Sequence, residues 1–397
     1  MAGRRFEAAA LDALFGALRE RGYTRVGPRL EDGALVYGAL HGADELPIGW
    51  TEVQEAGRYR VQRRADAARF GGSVGPHAWK RFLHPPVLRL WRAERDDQGG
   101  FAVQDAPDEP LRYAFIGVRP CDVAAIAIQD RVFTGGAHVD PDYAARRAAA
   151  FVVAVHCTEP GGTCFCASMG TGPRADTGYD LALTELLPRD GGAPTYLVEV
   201  GSERGAEVLA EVPTAPASDA ERAEADHRLA AAADRMGRTL EVRGLAEALL
   251  AVPDHPRWDA AAERCLACGN CTLACPTCFC STVEDTTDLT GAFAERTRLW
   301  DSCFTLDLSY IHGGPVRPSM RARYRQGATH KLATWQAQFG TAGCVGCGRC
   351  ITWCPAAIDL TEEATAIAAS ATSSAARGAP RPTAWPAKEV ADAAPAR

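Results

Sequence analysis

The sequence predicts an α+β protein in two parts, an N-terminal mixed α/β domain and a mostly helical, cysteine-rich domain after it. Three observations carry this. Continuous apolar runs at Tyr113 to Val118 and Phe151 to His156 read as buried strands, the first leading into a helix-like stretch. Two cysteine runs share one spacing, at Cys265 to Pro276 and Cys344 to Pro355. Strand signals are scarce between those runs, which favours helices there. The chain of 397 residues suits two or three domains, and 47% hydrophobic with 23% charged residues suits soluble globular ones.

Taken in order, residues 4–21 place Leu11, Leu14, Phe15 and Leu18 on one helical face that ends at Gly22. This reads as an amphipathic helix rather than a signal peptide. Short β-like runs follow at Tyr23 to Val26, Ala34 to Leu40 and Arg58 to Gln62, with Glu31-Asp32-Gly33 as a hairpin turn. The stretch Val74 to Pro86 reads as an ordered loop before a helix. Its Trp79 and Lys80 face a partner or cofactor or, on ordinary burial habits, are a packed Trp and a solvated Lys. After the strand Tyr113 to Val118, Arg119-Pro120-Cys121-Asp122 opens a helix whose dipole favours anions and lowers a thiol pKa. The strand Phe151 to His156 ends at Cys157, with Cys164 and Cys166 close behind. Ligands usually bind at such strand ends. Gly178 to Leu186 and Thr195 to Val200 read as strands and Ser218 to about Leu250 as helix. The two prolines of residues 251–258 mark a boundary, giving domains 1–250 and 251–362. Residues 363–397, poor in large apolar groups, read as a disordered tail.

The cysteine runs are C-L-A-C-G-N-C-T-L-A-C-P and C-V-G-C-G-R-C-I-T-W-C-P. Both fit C-x2-C-x2-C-x3-C-P, the spacing that holds [4Fe–4S] clusters, in which the fourth Cys serves the other cluster. The spacing therefore predicts two [4Fe–4S] clusters. Cys265, Cys268, Cys271 and Cys354 hold one, and Cys275, Cys344, Cys347 and Cys350 the other. Pro276 and Pro355 fix φ where the chain leaves each cluster. Structural zinc needs only paired C-x2-C and leaves the third and fourth cysteines unexplained.

Seven further cysteines stand outside the runs, and T-C-F-C occurs twice, at Thr163 to Cys166 and Thr277 to Cys280. Three readings stay open. Cys121, Cys157, Cys164 and Cys166 form a third metal or iron–sulfur site; or the two C-F-C pairs meet across the domains on one metal; or these residues and Cys303 are small packing groups. The basic segment Arg317 to Lys331 raises a cluster potential, meets an acidic partner, or is a solvated helix face.

Several functions are excluded or unsupported. Net charge is −7, which argues against nucleic acid and anionic membrane surfaces, and no run is long enough for a membrane span. Gly71-Gly72-Ser73-Val74-Gly75 lacks the dinucleotide fingerprint, and neither a Walker A run nor H-E-x-x-H occurs. Wiring without a two-electron substrate site suits an electron-transfer subunit with no catalytic residue of its own.

The combination GVRPCD (117–122), CTEPGGTCFCASMGTGP (157–173), GYDLALTE (178–185), CPTCFC (275–280), WDSC (300–303) and GCVGCGRCITWCP (343–355) resembles the iron–sulfur beta subunit of soluble NADP-linked [NiFe] hydrogenases, or sulfhydrogenases. The A subunit of anaerobic sulfite reductase is similar. The likeness spans residues 20–360 or thereabouts. It implies a cytoplasmic complex in which this chain relays single electrons between a flavin, NAD(P)-binding subunit and the hydrogenase small and large subunits. The sulfite reductase and a zinc-stabilised scaffold are the alternatives.

Overall fold

The computed structural model of the chain describes residues 3–73, 75–96, 98–105, 111–188 and 192–375. The parallel strands Thr24–Glu31, Tyr113–Val118, Phe151–Val155 and Leu181–Leu186 lie side by side in that order. Antiparallel strands extend them on both sides. Ala34–Ala39 pairs with Thr24–Glu31, while Thr195–Val200, Arg4–Glu7 and Ala215–Pro216 follow Leu181–Leu186, closing an eight-stranded sheet. The central strands are buried along nearly their whole length, as strands covered on both faces must be, which is why they read as unbroken apolar runs. Helix Leu11–Glu20 covers one face with Leu11, Leu14, Phe15 and Leu18. Val123 and Ile126 of helix Pro120–Thr134 cover the other, together with Trp79 and Leu83. Asp32 and Gly33 both have positive φ, the two-residue turn that matches strand twist.

Three sequence expectations change. Residues 4–7 are a strand paired with Thr195–Val200, and the α-helix starts only at Leu11, where the apolar period begins. Helix Asp219–Asp234, with a capping box on Ser218 and Glu221, ends early, and a separate helix Leu245–Ala251 follows. The third concerns residues 276–343, expected to be helical. They contain the antiparallel hairpin Ser281–Thr287 and Phe293–Trp300. Phe293–Trp300 pairs with Val87–Arg95, which pairs with Phe101–Asp105, so the cysteine-rich domain and the N-terminal lobe share a four-stranded sheet. The hairpin is rich in Thr, Glu and Arg and lacks an apolar alternation. Its partner strand lies some 200 residues upstream, beyond the reach of local pattern.

The chain end differs as well. Helix Leu360–Ala375 runs past the point where composition marks a disordered tail, and residues 376–397 lie outside the described residues. Alanine-rich sequence is a good helix former. Ala364 and Ile367 are buried with Leu249 and Trp258. Glu363 is 1% exposed and takes ion pairs from Arg257 and Arg264, which pins this helix to the one leading into Cys265. No helix of the described residues is long and apolar enough to cross a membrane.

Candidate metal centre

The two cysteine runs fold alike. Ala267 and Gly346 have φ of 56° and 64°, and Gly269 and Gly348 both have φ of 73°. Each run thus curls through a left-handed residue on either side of its second cysteine. It then makes one helical turn, Asn270–Leu273 or Arg349–Thr352, which carries the third cysteine. The curl turns successive thiols toward one side. Gly346 and Gly348 are also required sterically, since a Cβ would come within 2.6 Å and 2.4 Å of backbone atoms at Phe165 and Thr163.

The thiols face a cavity of about 120 Å³ bordered by eleven of the fifteen cysteines. Its other walls are apolar and aromatic, among them Phe165, Phe279, Phe304, Tyr324 and Trp335. Two sets of thiols emerge. Burial raises Cys265, and Cys354 and Cys268 are near enough to add to the shift. Burial pushes Cys271 up to about 12, with Cys265, Cys354, Cys275 and Cys268 beside it. On the other side, burial pushes Cys344 up to about 12, with Cys347 and Cys275 as neighbours. Cys350 is raised by burial and by Cys344, Cys275, Cys347 and, least, Cys271. Cys354 thus lies beside thiols of the first run, and Cys275 lies beside thiols of the second run as well as Cys271 of its own. Cys268 is the one exposed thiol of the eight.

These residues fit iron–sulfur clusters better than a single ion. A tetrahedral zinc draws four ligands to within about 2.3 Å of itself. Among the described residues no three His, Cys, Asp or Glu side chains gather as ligands of one ion. A cubane spreads its thiolates around a body several ångströms across, and a cavity with apolar walls lies between these. Burial raises Cys271, Cys344 and Cys350, so these thiols favour the protonated form until a metal replaces the proton.

Two lysines supply counter-charge. Lys80 is not solvated: it is 4% exposed, its Nζ donates to the carbonyls of Thr272 and Cys278 at 3.2 and 3.1 Å, and it lies 4.1 Å from the Trp300 ring centroid. Trp79 is packed as ordinary burial habits suggest, 3.8 Å from the Tyr37 ring. In the basic segment, Arg321, Arg323 and Arg325 are spent on structure. Arg321 pairs with Asp254 and Asp259, and Arg323 donates to the carbonyls of Arg317 and Pro318. Lys331 turns inward to Thr277 and the Gly343 carbonyl. Burial opposes its charge, but Cys275, Cys278 and Cys344 beside it hold its pKa above the ordinary lysine value.

A positive charge there stabilises the reduced, more negative state of a bound cluster. At a separation of about 6 Å and an effective dielectric of about 20, that is worth about 3 kcal/mol, or about 100 mV for one electron. Lys331→Met is therefore expected to lower the potential of one cluster by about 100 mV in an EPR-monitored redox titration. An unchanged or higher potential would remove Lys331 from this role.

The remaining thiols divide between two places. Cys278, Cys280 and Cys303 border the large cavity. A hydrogen bond from Cys278, with Lys331 close by, holds Cys275 well below the usual thiol range. A hydrogen bond from Cys303 lowers Cys280 to about 7. Cys121, Cys157, Cys164 and Cys166 border a second, smaller cavity together with Cys347. The two C-F-C pairs thus line different cavities. The first touches the second cysteine run, and Thr277 just ahead of the other pair touches Gly343 just ahead of that run. The Phe165 amide donates to the Gly346 carbonyl at 2.8 Å, and Thr277 Oγ1 donates to that of Gly343 at 2.6 Å.

Sequence reasoning weighed a cofactor-facing Lys80 against a solvated one, and it missed Lys331 in its inward role and Arg349. Arg349 makes a two-pronged ion pair with Asp122, at 2.7 and 2.8 Å, across the lobes. The only available signal was that Arg349 lies inside a cysteine run, between Gly348 and Cys350.

Residues 264–358 match a family model described as a 4Fe-4S dicluster domain. The sulfhydrogenase 2 subunit beta of Pyrococcus furiosus is 36% identical over 255 residues, covering 62% of this chain and 72% of that protein. No solved structure matches the chain. The chain belongs to the family of sulfhydrogenase beta subunits, and its 4Fe–4S dicluster domain makes it an iron–sulfur protein.

Proposed function

We propose that this chain is the electron-carrying subunit of a multi-subunit, NAD(P)-linked [NiFe] hydrogenase. In it, Cys265, Cys268, Cys271 and Cys354 hold one [4Fe–4S] cluster, and Cys275, Cys344, Cys347 and Cys350 hold a second. The observation that carries this reading is the pair of like-folded cysteine runs around one apolar cavity, with Cys354 beside Cys265 and Cys275 beside Cys344 and Cys350. Bound clusters supply reversible one-electron storage. The chain's own residues set the conditions. Aromatic walls exclude water, Lys80 and Lys331 offset the negative charge, and the shared sheet fixes the lobes around the centre.

Its partners in this reading are a flavin subunit that takes hydride from NAD(P)H and the small and large hydrogenase subunits. The similarity to a sulfhydrogenase subunit supports protons rather than sulfite as the complex's terminal acceptor.

Cys268→Ser tests the ligand assignment at its most exposed position. Purified without oxygen, the variant is expected to bind about four irons fewer than the unaltered chain and to lose one reduced-state EPR signal. Unchanged iron would overturn the assignment, and a colourless chain holding zinc would favour the scaffold.

A further inference from the structure

Every cysteine of the chain borders one of two cavities, and the dicluster reading uses only one of them. The second collects its thiols from three separate segments. Cys121 sits in the first turn of helix Pro120–Thr134, just beyond strand Tyr113–Val118. Cys157 lies two residues beyond the parallel neighbouring strand Phe151–Val155, and Cys164 and Cys166 lie in the loop that follows. Parallel pairing brings the two strand ends to one edge of the sheet, so the placement is a product of the fold and not of sequence proximity. We propose that Cys121, Cys157, Cys164 and Cys166 hold a third iron–sulfur cluster, next to the cluster that Cys347 serves.

Four observations support this. Cys157, Cys164 and Cys166 are buried, yet they line a void and do not fill one, unlike free cysteines used as small packing groups. Two guanidinium groups, Arg119 and Arg349, border the same void and are each 5% exposed. Arg349 Nε has no hydrogen-bond partner among the described residues, so part of a buried cation is left for a negative neighbour. The void is also in contact with the first site: Cys164 Sγ lies 3.8 Å from the Cys347 carbonyl, and Cys347 borders both cavities.

A structural zinc is the competing occupant. A structural zinc would need its four thiolates drawn to within about 2.3 Å of one point. The thiols are not gathered as a single ion requires. The ligand class is therefore a cysteine-ligated iron–sulfur cluster. The proposal rests on the dicluster reading only for its neighbour.

The test uses the full chain, purified without oxygen and reconstituted with ferrous iron and sulfide. The unaltered chain is expected to hold about twelve irons with matching acid-labile sulfide. Cys157→Ser/Cys164→Ser should hold about four fewer, with the EPR signals of the dicluster retained. About eight irons in the unaltered chain, equal iron in chain and variant, or one zinc lost by the variant would each overturn the proposal. If the variant does not fold, judged by circular dichroism, spin integration of the unaltered chain decides between three centres and two. Fewer than about eight irons in the unaltered chain would count against the dicluster reading, while the loss of about four more in the variant would still support the third site.

Discussion

Cys347→Ser is expected to strip the cluster held by Cys275, Cys344, Cys347 and Cys350 and to disturb the centre beside it. The expected loss is at least about four irons per chain, accompanied by a changed EPR spectrum for whatever centre remains. The effect should exceed that of Cys268→Ser for a physical reason. Cys268 is exposed, so water can enter where its thiolate is lost. Cys347 is part-buried between the two cavities, its carbonyl lies against Cys164, and Gly348 packs against Thr163 directly after it. Its thiol is raised by burial and lowered by Arg349, which is itself tied to Asp122. Exchanging the sulfur for a hydroxyl there removes a ligand where solvent has poor access, and it disturbs the charge balance of both lobes. Iron and sulfide analysis with EPR of the anoxic variant checks this. Iron content equal to that of Cys268→Ser, with an unchanged second spectrum, would show that the two positions act alike.

The sequence made the metal centre legible because cluster chemistry is local. Three thiolates at fixed short intervals, a fourth three residues on and a proline after it are a geometric demand written into contiguous residues. The crossed pairing is proposed from the same rule; Cys354 lies beside Cys265, and Cys275 lies beside both Cys344 and Cys271. The central strands were legible because burial on both faces leaves no polar alternation to interpret. The hairpin Ser281–Thr287 and Phe293–Trp300 was not, since half-exposed strands rich in Thr and Arg acquire their identity from a distant partner. Lys80 shows the same limit at one residue. On sequence alone Lys80 could be placed toward a cofactor or in solvent, and burial habits favour solvent. Only the shared sheet brings Trp300 beneath it and the Cys278 carbonyl within reach. The C-F-C pairs were legible as a pair but not in their destinations, because they line two different cavities.

The largest expected loss of stability comes from Asp122→Ala. Asp122 and Arg349 are 1% and 5% exposed, and their ion pair joins helix Pro120–Thr134 of the N-terminal lobe to the helical turn that carries Cys350. The Tyr37 hydroxyl donates to the same carboxylate at 3.1 Å. Removing the carboxylate leaves a guanidinium buried without its partner and a buried hydroxyl without its acceptor. Breaking a buried pair from one side costs about 3–5 kcal/mol. For a chain of this size that is a fall in melting temperature of about 5 °C or more. The double variant Asp122→Leu/Arg349→Met should recover most of the loss, because it removes the stranded charge along with its partner. Thermal unfolding of the anoxic chain, followed by circular dichroism, reads both numbers. A loss below about 1 kcal/mol for Asp122→Ala would mean that water reaches Arg349 and that this pair does not clamp the lobes. If the clamp holds, the same variant should also bind iron less firmly. Cys121 and Cys350 flank the paired residues in sequence, so freedom gained at the ion pair passes directly to two of the thiols that line the cavities.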